Sequence, residues 1–363
     1  MRPSRVEINL RNLENNIRIA KEKLGNQKKL LAVVKADAYG HGAIAISSRA
    51  IAMGVDFLGV GIVEEGIELR NAGIQANIVI LSQELKERAE EILLFNLIPT
   101  VCSRDFLESL EKEGERQKKE VPIFLKVDTG MGRFGVSPDE FIYFIKLIKN
   151  FKFVKLIGAF SHFPSADSDE IFTREQLKNF KELIRVASNL GIEIPIKSIA
   201  NSAAFLLYKD SLFNMVRLGL LLYGISPIED FPLLDYKPVM SVKSKISFIK
   251  TIPPGHSVSY GRTFIAQKPT TVATVPIGYA DGYDRSLSNK GWMIVKGEKA
   301  PVIGNVTMDT TMIDISHIEG VKIGDEVIVM NEKITAWDIA KASGTIPYEI
   351  ISRMGKRLPR LYV

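Results

Sequence analysis

Cysteine is nearly absent. The single one in 363 residues, Cys102, excludes an intrachain disulfide and any Cys-x-x-Cys zinc site. Histidine is scarce as well: His41, His162, His256 and His317 have no ligand-type spacing, and Asp167 and Asp169 do not continue into a calcium loop, so no metal is expected. No uncharged apolar run approaches the ~18–20 residues that cross a bilayer. The opening Met1-Arg2-Pro3-Ser4-Arg5-Val6-Glu7 has charge with no apolar stretch behind it, unlike a secretory signal. Nor does one sign of charge dominate. Lys and Arg number 48 against 42 Asp and Glu, a net +6. The densest basic stretch, Lys146, Lys149, Lys152 and Lys155, has the near-helical spacing of a solvated helix face rather than a nucleic-acid footprint. These absences are those expected of a cytoplasmic soluble protein whose partners are neither membranes nor nucleic acids.

What is present is an ordinary globular composition, 46% apolar and 25% charged. The chain exceeds the ~250–300 residues at which one core stops growing, which predicts two domains. Through the first 220 residues, short apolar runs alternate with longer amphipathic ones. Strands are expected at Leu30–Lys35, Phe57–Ile62, Asn77–Leu81, Ile98–Cys102, Val121–Val127, Leu156–His162, Ile196–Ala200 and Met215–Leu218. Helical periodicity fills the gaps, for instance Phe141, Ile142, Ile145 and Ile148 after a Ser137-Pro138 start signal. Eight such units are the arithmetic of a (β/α)8 barrel over residues 1–235, not of an open doubly wound sheet. Beyond that, β-like runs at Ser244–Ile252, Thr270–Ile277, Trp292–Lys296, Pro301–Ile303, Thr310–Ile315 and Glu326–Met330 predict a β-rich domain over 236–363, with helices only at Ala336–Ala342 and Tyr348–Met354.

Gly130-Met131-Gly132-Arg133-Phe134-Gly135 matches the dinucleotide fingerprint G-x-G-x-x-G after an apolar strand. The mechanism of that motif also needs an acidic residue about 20 positions on, to hold the ribose. From Phe141 through Ala166 there is no Asp or Glu, so the glycines are read as a tight loop that presents Arg133.

In a barrel, chemistry gathers at the C-terminal ends of the strands. The expected strands place Lys35, Arg133, His162, Asn201-Ser202 and Arg217-Leu218-Gly219 on that face. Lys35 closes the run Leu30-Leu31-Ala32-Val33-Val34. A lysine whose stem starts in a packed interior has a depressed pKa and can act as a Schiff-base nucleophile.

The context Val34-Lys35-Ala36-Asp37-Ala38-Tyr39-Gly40-His41-Gly42 resembles the alanine racemases, pyridoxal-phosphate enzymes with a barrel and a C-terminal β domain. The resemblance spans essentially the whole chain. It recurs in Lys126-Val127-Asp128-Thr129-Gly130-Met131-Gly132-Arg133, Ser161-His162-Phe163 and Val216-Arg217-Leu218-Gly219. In the second domain it returns in Ser259-Tyr260-Gly261-Arg262-Thr263-Phe264, Gly278-Tyr279-Ala280-Asp281-Gly282-Tyr283 and Asn305-Val306-Thr307-Met308-Asp309.

The resemblance implies that Lys35 carries the pyridoxal 5'-phosphate and serves as one of two acid–base groups. It implies that Tyr39, Asn201, Ser202, Gly219, Leu220 and Tyr348 contribute to the cofactor site, most of them at the phosphate, and that Arg217 faces the pyridine nitrogen. It also implies that Tyr260 is the second base, coupled to Arg217 through His162. Arg133 and the Met308 backbone N–H would hold the substrate carboxylate, and Tyr279 and Asp309 would shape the entrance. Lys126 occupies a position where relatives can carry a carbamylated lysine. The implied activity is interconversion of L- and D-alanine, supplying D-alanine for peptidoglycan, by a head-to-tail homodimer in which Tyr260 reaches the other subunit's site.

Three alternatives stay open at this level. A serine or broad-specificity racemase differs only in pocket volume, where one methylene is worth only ~1–3 kcal/mol. A decarboxylase of the same plan would need a cysteine in the β domain and a carboxylate where Arg217 stands, and this chain has neither. A non-catalytic pyridoxal-phosphate binder would lack the second domain altogether.

Overall fold

The computed structural model describes residues 2–363. Eight parallel strands, β2 (Lys29–Val33), β3 (Phe57–Val60), β4 (Asn77–Ile80), β5 (Thr100–Val101), β6 (Val121–Lys126), β7 (Val154–Phe160), β8 (Ile196–Ser198) and β9 (Met215–Leu218), follow β1 (Arg5–Ile8). They run in two hydrogen-bonded arcs, β4-β3-β2-β9 and β5-β6-β7-β8. A parallel bridge between Val79 and Ile98 joins the arcs on one side. On the other, the Arg217 N–H donates to the Ala200 carbonyl at 3.1 Å. The arcs therefore close into a barrel. All eight strands fall where the apolar runs predict them, because strands buried on both faces have no room for an alternating polar residue. Every residue of β3 and β9 is buried.

Helices wrap the outside. The helix Pro138–Lys149 begins with a full capping box, Ser137 accepting from the Glu140 N–H and Glu140 from the Ser137 N–H, with proline in the first turn. A cap of this kind stabilises a helix by about 1 kcal/mol.

The second domain is built on β10 (Met240–Lys245), β11 (Phe248–Ile252), β12 (Ser257–Val258), β13 (Phe264–Ile265), β14 (Thr270–Val275), β15 (Trp292–Val295), β16 (Glu298–Pro301), β17 (Thr311–Asp314), β18 (Glu326–Met330) and β19 (Arg360–Tyr362). Its largest sheet has the order β16-β15-β18-β10-β1-β19. Here the chain departs from the sequence reading, which gives residues 1–235 wholly to the barrel. The first strand, β1, lies in the β-rich sheet instead, antiparallel to β10 and parallel to β19. Its Arg-Val-Glu-Ile pattern buries Val6 and Ile8 on one face only, which suits a sheet with a solvated side. Arg2 anchors the same arm. Its guanidinium donates to both carboxylate oxygens of buried Asp281, at 2.6 and 2.7 Å, so Asp281 serves as a structural tie. The run Ser244–Ile252 divides into β10 and β11, and β12, β13 and β19 are too short to carry a readable period.

Candidate active site

The turn after β2 sets the site. The apolar run predicts a strand through Lys35, but β2 ends at Val33, and Lys35 opens a left-handed turn. Ala36, Asp37, Ala38 and Tyr39 have φ between +52° and +54°. Left-handed backbone costs an L-residue roughly 1–2 kcal/mol, so four in a row persist only because their surroundings hold them. The Asp37 carboxylate accepts from the Ala43 N–H at 2.7 Å. Buried His41 donates from Nδ1 to the Ala38 and Tyr39 carbonyls, and burial lowers its pKa to about 4, so it stays neutral. Its ring stacks on Tyr223, whose hydroxyl donates to the Val33 carbonyl at 2.8 Å. The turn swings Tyr39 inward beneath the strand ends, where it is buried.

A cavity of about 570 Å³ opens there. It is lined by Lys35, Tyr39, Lys126, Arg133, His162, Asn201, Ser202, Arg217, Gly219, Leu220 and Tyr348, all of them singled out from sequence. Leu81, Met131, Phe160 and Ile346 also line it, and sequence reasoning assigns them no role, since apolar residues carry no chemical signature.

One end of the cavity suits an anion. The Gly219 N–H donates to the Ser202 hydroxyl at 3.2 Å. A Cβ on Gly219 would stand 2.7 Å from the Tyr39 hydroxyl, so only glycine lets backbone and phenol meet here. The Tyr39 hydroxyl stays protonated because burial raises its pKa. Tyr348 packs edge-on against Tyr39, and burial pushes its phenol up to about 12. Two neutral phenols, a serine hydroxyl and closely packed backbone N–H groups are donors that suit a phosphate.

On the barrel wall, Arg217 is buried and donates to the Ser198 hydroxyl at 2.6 Å and the Ser161 carbonyl at 2.7 Å. Burial and neighbouring Arg133 pull its pKa down to about 9, which leaves it protonated at neutral pH. It also meets His162 Nδ1 at 3.0 Å. A guanidinium can only donate, so His162 must accept at Nδ1 and carry its proton on Nε2. Burial, and then Arg217, hold His162 neutral, far below its usual pKa. The lysine on the wall, Lys35, has its pKa lowered by burial first and by Arg133 second, while Glu65 opposes both.

The glycine loop behaves as a presenting loop. Its N–H groups at Gly130, Met131 and Gly132 all donate to the Asp128 carboxylate, at 2.7–2.9 Å. They are not free to cradle a pyrophosphate, which removes the dinucleotide reading on geometry. Arg133 stands exposed at the tip. Replacing Asp128 with alanine releases three donors and lets the tip wander. The expected result is a KM for the amino-acid substrate raised about tenfold or more, with the cofactor retained, the scale of losing charge-assisted hydrogen bonds; steady-state kinetics alongside visible absorbance would check it. The sequence reading quoted Asp128 only as part of a motif. An aspartate two residues before a Gly-x-Gly is the available signal.

Four expected site residues do not reach this cavity within the chain. Tyr260, Tyr279 and Met308 are 76%, 42% and 51% exposed. Asp309 pairs with Arg357 at 2.6 Å. They share one patch on the second domain: Asn305 Nδ2 donates to the Tyr260 carbonyl at 2.7 Å, and the Tyr279 and Ala280 N–H groups donate to the Thr307 and Met308 carbonyls. Tyr260 lies between Ser259 and Gly261, both with positive φ, and the Ser259 hydroxyl is tied to the Asn305 carbonyl at 2.6 Å. The phenol is thus presented outward on a fixed loop. Among the described residues, no main-chain carbonyl accepts from the Met308 N–H.

Family models described as "Alanine racemase, N-terminal domain" and "Alanine racemase, C-terminal domain" match residues 8–227 and 239–362. An alanine racemase of Halothermothrix orenii is 42% identical over 99% of this chain and 97% of its own length. The solved alanine racemase of Clostridium difficile 630 superposes with a TM-score of 0.95 at 36% identity, covering 100% of this chain and 96% of that one. The enzyme of Bartonella henselae, solved with covalently bound pyridoxal phosphate, superposes at 0.91 with 29% identity, with both chains covered in full. Two matched domains, full-length relatives and the same architecture agree: this chain belongs to the alanine racemase family.

Proposed function

We propose that this chain interconverts L- and D-alanine with pyridoxal 5'-phosphate held on Lys35, one proton-transfer group standing on each face of the substrate's α-carbon. The observation that carries the reading is the convergence, in one cavity, of the Lys35 amine, the Arg217–His162 pair and the anion-fitted cradle of Ser202, Gly219 and Tyr39. The cofactor fits these groups: its phosphate belongs with Tyr39, Ser202, Gly219, Leu220 and Tyr348, its ring nitrogen with Arg217, and Asn201 caps the short helix that presents Ser202. When bound, it withdraws electrons from the α-carbon and makes the hydrogen there acidic. Arg217 can only donate, so the nitrogen it faces must accept, which moderates that withdrawal; a carboxylate would strengthen it.

Racemisation demands proton removal on one face and delivery on the other. Lys35 addresses one face. The cavity's other titratable groups are engaged, Lys126 with the Phe134 carbonyl and His162 with Arg217, whereas Tyr260 projects outward from the β domain, and this supports a head-to-tail homodimer in which the partner's Tyr260 supplies the other face. The Nε2–H of His162 is then free to donate to that phenol and favour its ionised form. Arg133 and the Met308 N–H would grip the substrate carboxylate, with Tyr279 and Asp309 at the entrance. Lys126 is buried, donates to the Phe134 carbonyl, and has its pKa lowered to about 8 by burial and Arg133. Its appreciable neutral fraction suits carbamylation, which would replace a cation beside Arg133 with an anion able to orient it. Supply of D-alanine for peptidoglycan and a cytoplasmic location belong to the same proposal; no helix among the described residues is long and apolar enough to cross a membrane.

Chiral product analysis on a panel of L-amino acids, with visible absorbance of the same sample, tests the reading. Equal amounts of both alanine enantiomers from either starting form, made by a yellow protein, are expected. A colourless protein, or L-alanine left unchanged, overturns it. Serine racemised faster than alanine would move the chain to a sister activity.

A further inference from the structure

Glu65 lies in the first turn of the helix Val63–Asn71, where an acidic residue is ordinarily read as a partner of the helix dipole. Its carboxylate does something else. One oxygen accepts from the Ala36 N–H at 2.6 Å, and the other from the Gly61 N–H at 2.7 Å. Ala36 is the residue after Lys35 and the first of the left-handed turn, while Gly61 follows the end of β3. One side chain thus ties the lysine's own peptide to the neighbouring strand. Arg88 pairs with the preceding residue, Glu64, at 2.8 Å, and among the described residues no ion pair engages Glu65.

We propose that Glu65 is a positioning residue for Lys35, fixing the direction in which the amine leaves the barrel wall and facing it with negative charge. The inference rests on the proposed role of Lys35 as cofactor-bearing base. Charge argues the same way. The groups facing the site from the other elements are Arg133 on its loop, Lys126 on β6, His162 after β7, Arg217 on β9 and the neutral phenols of Tyr39 and Tyr348; Glu65 is the acid acting on Lys35. Without it, burial and Arg133 act on the lysine nitrogen unopposed.

The sign follows directly. Loss of a nearby negative charge disfavours the protonated lysine nitrogen, so its titration moves to lower pH. Three holoenzymes test this: wild type, Glu65→Gln and Glu65→Asp. The pH midpoint of the visible band in Glu65→Gln is expected about one unit below wild type, within the range of a lost charge partner. Its kcat should fall about tenfold or more while KM stays within about twofold, since a misdirected amine slows chemistry rather than binding. Glu65→Asp keeps the charge but is too short to hold both amides; its midpoint should stay near wild type while kcat falls. A wild-type midpoint and wild-type kcat in Glu65→Gln overturn the proposal. So does equal loss of melting temperature and activity in both variants with neither midpoint moved, which would make Glu65 merely structural. Should Glu65→Gln fail to fold, Glu65→Asp decides: a kcat reduced at wild-type KM and wild-type melting temperature supports the proposal, while wild-type kcat, or a kcat that falls only together with the melting temperature, overturns it. A wild-type protein that is colourless or inactive fails the underlying reading instead, and the two failures cannot be confused.

Discussion

Replacing Lys35 with alanine is expected to give a folded, colourless protein with no measurable racemisation from either enantiomer. The reason lies in how the chain delivers this one amine. It leaves the barrel from a left-handed turn held by Asp37, His41 and Glu65. Burial and Arg133 lower its pKa, so more of it is neutral near pH 7 than of a free lysine, and a neutral amine is what both covalent attachment and proton removal require. The substitution removes both capacities at once. The loss should therefore exceed the ~10⁴-fold that marks the upper end for a single general base. Lys35→Arg sharpens the test, because it keeps a cation on a long stem yet has no usable nucleophile or base; it should be as inactive as the alanine variant. Far-UV circular dichroism establishes folding, absorbance reports the cofactor, and chiral chromatography reports turnover. A yellow Lys35→Ala protein would place the cofactor on some other amine and undo the assignment of the site.

The barrel was legible because buried parallel strands are written as short, wholly apolar runs with sharp boundaries. All eight runs correspond to strands, and the polar residues that follow them do meet at one face. The second domain was legible only as a texture. Its two-residue strands β12 and β13 carry no period, and β1 and β19 join the sheet from opposite ends of the chain, a pairing that depends on how the domains sit together and leaves no local mark. The site divides along the same line. Lys35, His162 and Arg217 announce themselves as costly polar groups at the ends of apolar runs, and Arg133 as the cargo of a glycine loop. The left-handed turn does not, since Ala36, Asp37, Ala38 and Tyr39 are not residues that demand positive φ. Their conformation is imposed by Glu65 and His41, which sequence reasoning left unassigned. What a motif cannot convey is which groups hold the reacting ones in place, because those contacts join elements far apart in the chain, as Glu65 joins Ala36 to Gly61 across 29 and four residues.

Substitution of Tyr260 by phenylalanine is expected to keep the yellow colour and lower racemisation by about 10²–10⁴, the scale of losing one general acid–base group. Phenylalanine preserves the shape of the loop fixed by Ser259 and Asn305 and removes only the hydroxyl. The surviving face should still be visible. The enantiomer whose α-hydrogen points toward Lys35 can lose it and regain one from the same side, so in deuterated water it should exchange that hydrogen while keeping its configuration. The other enantiomer should scarcely exchange. Mixing separates the trans arrangement from a site completed within one chain. Neither Lys35→Ala nor Tyr260→Phe alone should approach the wild-type rate, but a hybrid dimer in the head-to-tail arrangement has one site that receives its lysine from the Tyr260→Phe subunit and its phenol from the Lys35→Ala subunit. That site is intact, so subunit exchange should restore activity to a mixture of two crippled proteins. If the phenol acted within its own chain, every site in the hybrid would lack one group or the other. Exposure of Tyr260, with Lys126 and His162 in the cavity already engaged by Phe134 and Arg217, argues for restoration. An inactive mixture, with hybrid formation verified by mass spectrometry of the intact dimers, would require the β domain to fold back onto its own barrel.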